Sequence, residues 1–147
     1  MPPIGANPEE RTMPIDPDLT AEVHQLMPYA ALIGLEVERF DAAEVRCRVA
    51  WAPERCTSGG ILHGGLLMGI ADSVGAMVAV RNLPADATGT TTVGSSTSFL
   101  RGVPSGAVHA VSRPVHAGRT TIVAETELRD DAGRLVAKVT QTQLVLR

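Results

Sequence analysis

Two features of one stretch are of the types that carry chemistry. His63-Gly64-Gly65 opens a long apolar run, and a single carboxylate, Asp72, interrupts it. At the start of a helix the first N–H groups lack intrahelical partners and the peptide dipoles present their positive end, while glycine lets a ligand approach the main chain closely. Such a start can polarise a carbonyl oxygen, with Gly64 N–H as first candidate donor and Gly65 N–H as second. A carboxylate such as Asp72 can take a proton from water or attack a carbonyl itself. Plainer roles stand beside these. Asp72 could be a satisfied buried carboxylate or a polar contact between subunits, His63 could only fix the start of the helix, and the glycines could serve close packing.

The element that must position these groups is the run itself, from Gly59 to Val80. Leu66, Ile70, Val74 and Val78 recur every four residues, which is helical spacing, and Pro84 forbids continuation. A helix bounds the site's geometry. Asp72 lies eight residues beyond Gly64, or about 12 Å along the axis at 1.5 Å per residue. Each must come within about 3 Å of its reacting atom, so one subunit cannot easily supply both. A two-fold dimer can, if the helix start of one chain faces Asp72 of the other.

Around this helix the period changes to two. Leu35 and Val37, then Val45, Cys47, Val49 and Trp51, alternate with polar residues as in a half-buried hairpin. Strands are also expected over 90–100, 107–116, 121–129 and 135–146, with turns at Pro104-Ser105-Gly106 and Asp130-Asp131-Ala132-Gly133. Tight turns make the last strands antiparallel, so the class is α+β, with one sheet curled around one long helix. Ahead of this, Thr20 is expected to cap a short helix over 21–27. Residues 1–17 hold five prolines and are expected to form a flexible arm, leaving 18–147 as a single domain.

Composition excludes several classes. Net charge is −3 and the 13 Lys and Arg are scattered, which argues against nucleic acid as a partner. The N-terminus lacks a basic segment followed by an apolar run, so a cytoplasmic protein is expected. A membrane span over 61–80 would carry Asp72 near mid-bilayer, and a buried helix is expected instead. Cys47 and Cys56 read as unpaired thiols, no metal cluster is expected, and His109 and His116 lack a carboxylate at useful spacing in sequence. Only four residues are aromatic, so burial between subunits would help the core.

With these residues in view, the chain resembles the hotdog-fold acyl-CoA thioesterases of the phenylacetate-degradation (PaaI) type. Gly60, His63-Gly64-Gly65 and Ile70-Ala71-Asp72 match that family's motif at its spacing. Thr91-Thr92-Val93, Phe99-Leu100-Arg101, His116-Ala117-Gly118-Arg119 and the segment from Asp131 to Ala137 resemble its later strands and hairpins. The resemblance spans roughly residues 30 to 146. One position departs: the family's Asn, fifteen residues before the acid, falls on Thr57, with Ser58 beside it.

The resemblance implies a hotdog fold of five to six antiparallel strands and hydrolysis of an acyl-CoA to free acid and coenzyme A. It implies no cofactor besides the coenzyme A of the substrate, and a homodimer, or a homotetramer built from it, as the active assembly. It also implies catalytic roles for Asp72, Gly64 and His63, and for Thr92, whose hydroxyl would lie near the acid and hold water. Thr57 or Ser58 would take over that Asn's role of orienting water or substrate, Gly65 N–H would assist Gly64, and Arg101, Arg119 and Thr120, at strand ends, would meet the coenzyme A phosphates. Two other readings stand beside this one, a non-catalytic acyl-CoA-binding dimer and an acyl-thioester hydratase or dehydratase.

Overall fold

The computed structural model describes residues 13–147; most of the expected arm, residues 1–12, lies outside the described residues. The first helix, α1, runs Pro17–Leu26 and starts earlier than expected. Asp16, not Thr20, is its cap: the carboxylate accepts from Asp18 N–H at 3.0 Å and Leu19 N–H at 2.9 Å, with proline following at the first helical position. The Thr20 hydroxyl instead donates to the Asp16 carbonyl and accepts from Val37 N–H, tying α1 to the sheet. A short α2, Pro28–Leu32, follows.

The sheet has six strands: β1 Glu36–Phe40, β2 Val45–Ala50, β3 Gly89–Phe99, β4 Ala107–Ala117, β5 Thr121–Arg129 and β6 Leu135–Leu146. They lie in the order β1-β2-β4-β5-β6-β3, all antiparallel, and the sheet does not close. Chain order is broken once, where β3 joins the far edge beside β6. Between β2 and β3 runs the long helix α3, Gly64–Arg81, packed on five of the six strands.

The core forms where α3 meets the sheet. Ile70, Val74, Met77 and Val78 of the helix meet Val45, Cys47, Ala110, Leu128 and Val139 of the strands. The expected period is met: in β5, Ile122, Ala124, Thr126 and Leu128 are buried and their neighbours are not. By length and composition α3 could cross a membrane, but half of it is buried within this fold. Its start falls at Gly64 rather than Gly59, because Gly59 and Gly60 take φ values of 85° and 73° in the preceding turn, a region that favours glycine.

Both cysteines are free thiols; Cys47 lies in the core, and burial pushes its pKa well above the usual thiol range. At the start of β2, Glu44 is buried among Arg39, Arg46 and Arg113. Burial works against its charge, but the hydrogen bond from Arg46 and the charges of the arginines outweigh it and hold the carboxyl below its ordinary range.

Candidate active site

The start of α3 is built by His63. Its backbone is extended (φ −64°, ψ 136°) and its Nδ1 accepts from Gly65 N–H at 2.8 Å, so its proton sits on Nε2. Gly65 N–H is thereby occupied. Neither Gly64 N–H nor Leu66 N–H makes a hydrogen bond among the described residues, and Gly64, which lines the cleft beside Phe99, is the candidate donor for a ligand there. The Phe99 ring lies over it: a Cβ on Gly64 would sit 3.4 Å from that ring. A cleft of about 380 Å³ opens here, lined among others by Thr57, Gly64, Phe99 and Arg101. Ser58 is exposed in the neighbouring turn.

Asp72 lies two turns along the helix, on the face the sheet leaves uncovered. Gly65, Met68, Asp72 and Val80 form an exposed stripe there, at helical spacing. Thr92 of β3 donates to Asp72 Oδ1 at 2.8 Å, so the pairing implied for these two residues is present. Gln143 Nε2 in turn donates to Thr92 Oγ1 at 2.6 Å, and Thr90 Oγ1 donates to Gln143 Oε1 at 3.0 Å. With its proton given to Asp72, the Thr92 hydroxyl has none to offer a water molecule. Asp72 Oδ2 accepts no hydrogen bond among the described residues.

A second glutamine braces the same turn of helix. Gln141 Nε2 donates to the Asp72 carbonyl at 3.3 Å, with Oδ1 at 3.5 Å. Both facing atoms are acceptors, so the amide must present its nitrogen, and Gln141 Oε1 is left buried without a partner among the described residues. Gly75 makes the room, because a Cβ there would overlap the Gln141 amide.

Sequence reading missed both glutamines. Register explains their place: Ile122, Gln143 and Thr92 are successive partners across β5, β6 and β3, and Ala124, Gln141 and Ser95 form the next inward-facing row, two residues along. The available signal was two polar residues at the inward positions of β6, between Val139 and Val145.

The candidate phosphate-binding residues are not brought together within one chain. Arg101 follows the end of β3, whereas Arg119 and Thr120 form the β4–β5 turn beside its start, where Thr121 pairs with Leu144 and Gly89 with Leu146. The length of β3 separates them, on the order of 30 Å for a strand of this size. His109 does have a carboxylate, Asp131 at 2.7 Å, supplied by the β5–β6 turn. Among the described residues no cluster of His, Cys, Asp and Glu could hold a metal ion.

Among the described residues the long edge strand β3 has no neighbour on its outer side. Its eleven residues include no charge and no proline, so it lacks the features that usually protect a free edge. Val93, Phe99 and Leu100, on or just beyond it, are each more than half exposed, and Met68 and Val80 on the helix stripe are nearly so. Asp72 therefore sits in a face with unmet backbone and apolar groups.

The sequence and fold are similar to those of known proteins. A profile of the thioesterase superfamily matches residues 59–137, from the turn before α3 to the start of β6. A Pseudomonas aeruginosa protein named "Putative esterase PA1618" is 33% identical over 119 residues, covering 78% of this chain and 81% of its own. A solved structure of a mutant of thioesterase PA1618 superposes with TM-score 0.81 at 27% identity, over 92% of this chain and 96% of that one. AziG of S. sahachiroi superposes with TM-score 0.78 at 33% identity, over 83% and 98%. A phenylacetic acid degradation-related protein of Ralstonia eutropha gives 0.74 at 27%, over 81% and 90%. An open six-stranded sheet around one long helix, a His-Gly-Gly start and a carboxylate on the uncovered helix face thus occur here in a chain that belongs to the thioesterase superfamily, with the hotdog fold and a PaaI-type likeness.

Proposed function

We propose that this protein hydrolyses a small or medium acyl-CoA to the free acid and coenzyme A, at a site shared between two copies of the chain. The observation that carries the reading is the division of labour along α3: a free N–H at Gly64, and Asp72 two turns away with one oxygen held and the other open. Gly64 N–H donates a hydrogen bond to the thioester oxygen and stabilises the negative charge that develops on it. Asp72 takes a proton from attacking water, or attacks the carbonyl and is then released by water. In either case the C–S bond breaks and the coenzyme A sulfur leaves and is protonated.

The free edge supports a two-fold assembly that closes this gap. Antiparallel pairing of two β3 strands, centred on Ser96, sets Phe99 of one copy beside Thr92 of the other, because the bulge between Thr92 and Gly94 absorbs one residue. Gly64 lies against Phe99 and Asp72 is bonded to Thr92, so the oxyanion donor of one chain approaches the carboxylate of the second. The same pairing carries Arg101 toward the end of the second copy's sheet that holds Arg119 and Thr120. Cations divided within one chain then converge on one mouth, where coenzyme A phosphates need them.

Release of free thiol from a panel of acyl-CoAs tests the reading, with wild type beside Asp72→Ala and Asp72→Asn. Turnover that falls at least a hundredfold in both variants is expected. Equal turnover in all three proteins would remove Asp72 from the mechanism. Binding without thiol release across the panel would favour a non-catalytic acyl-CoA-binding dimer.

A further inference from the structure

We propose that Gln143 is a positioning residue for Asp72, acting through Thr92 along a one-way chain of hydrogen bonds. The inference rests on the reading of Asp72 as the group that attacks or activates water. An ionised carboxylate only accepts hydrogen bonds, so the contact with Asp72 Oδ1 consumes the single hydroxyl proton of Thr92. Toward Gln143, 2.6 Å away, Thr92 can then only accept. Gln143 must turn its NH₂ to Thr92 and its Oε1 to Thr90, which donates at 3.0 Å. The order Thr90 to Gln143 to Thr92 to Asp72 therefore has one direction, set by the carboxylate at its end.

Burial gives the chain its function. Gln143 is wholly buried and Asp72 is exposed, so the chain runs from the interior to a solvent-facing group and holds it in one rotamer. It fixes Oδ1 and leaves Oδ2 open, so Oδ2 is the oxygen aimed at the substrate. Gln143 does not reach that oxygen and acts only by keeping Thr92 in register. An apolar residue would have filled the same interior position, next to Ile122 and Val145, without an amide to satisfy.

A double-mutant cycle tests this on the best substrate of the acyl-CoA panel, using Thr92→Val, Gln143→Met and the two combined. Each single change should lower kcat about tenfold with KM within about twofold, and the double variant should match Thr92→Val alone. Thr92→Ser should restore most of the loss. Losses that multiply in the double variant, or a wild-type kcat in Gln143→Met, would overturn the inference. Should Gln143→Met not fold, Thr90→Val at the half-buried head of the chain reads the same coupling: a kcat loss of about threefold that vanishes in the Thr92→Val background. A loss that persists there overturns the inference. Asp72→Asn separates the two levels. If it is inactive while Gln143→Met is unimpaired, only the positioning role falls; if it is fully active, the role of Asp72 falls with it.

Discussion

A complementation experiment reads the shared site directly. Gly64 is the first residue of α3 and its N–H takes no part in the helix, so Gly64→Pro removes that donor at the helical position proline tolerates best. The extended backbone of His63, at φ −64° and ψ 136°, is also what a residue before proline prefers. Loss of one oxyanion donor costs about 10²- to 10³-fold in kcat, or roughly 3 to 4 kcal/mol. Gly64→Ala is the control: it keeps the N–H and adds a Cβ about 3.4 Å from the Phe99 ring, a contact the exposed ring can relieve. Gly64→Pro and Asp72→Asn chains, each inactive alone, are then unfolded together in equal amounts and refolded. Random pairing makes half the dimers mixed, and one of the two sites in each carries both an intact N–H and an intact carboxylate. About one quarter of wild-type thiol release should return. Recovery no greater than the sum of the two parents would show that both groups act within one chain, and the distance along α3 would not divide the site.

Two further outcomes follow from other parts of the fold. Ser96→Lys, near the centre of the pairing inferred for β3, sets two like charges side by side across the two-fold; light scattering should show a shift toward monomer, with thiol release falling in proportion, and an unchanged dimer would refute pairing along this strand. Glu44→Gln removes the buried charge that Arg39, Arg46 and Arg113 meet and should cost about 2 kcal/mol in urea unfolding at pH 7. Because the folded pKa of Glu44 lies below its ordinary value of 4.5, its stabilisation is complete above that pH and is lost as pH falls through the folded value. The difference between Glu44→Gln and wild type should shrink in acid, and a difference independent of pH would assign it to packing alone.

Parts of this architecture are legible in the sequence for physical reasons. A four-residue apolar spacing has one cheap solution, a helix with one buried side, and strict alternation in β5 has another, so α3 and most strand limits can be read directly. Asp16 is harder to see as a cap because its neighbours Pro14 and Pro17 suggest an extended arm, although proline after an Asp is itself a helix-start signal. The inward positions of Gln141 and Gln143 can be read from the alternation of β6, but their partners, and the part of Thr90, cannot. Their roles depend on β3 crossing to pair with β6, and nothing local in either strand specifies that neighbour. The same crossing sends Arg101 and Arg119 to opposite ends of one chain, which spacing in sequence cannot reveal.

The bare edge of β3 also bears on how the chain is made. A newly folded copy displays an uncharged strand of eleven residues with no proline, a surface any other extended segment can template on. If a second copy is what covers it, folding and assembly become one concentration-dependent process, and apparent stability rises with the amount of protein present. Dilution or slow synthesis would then lengthen the time spent uncovered, and variants that weaken the pairing while leaving the strand uncharged would lose part of their yield as insoluble material.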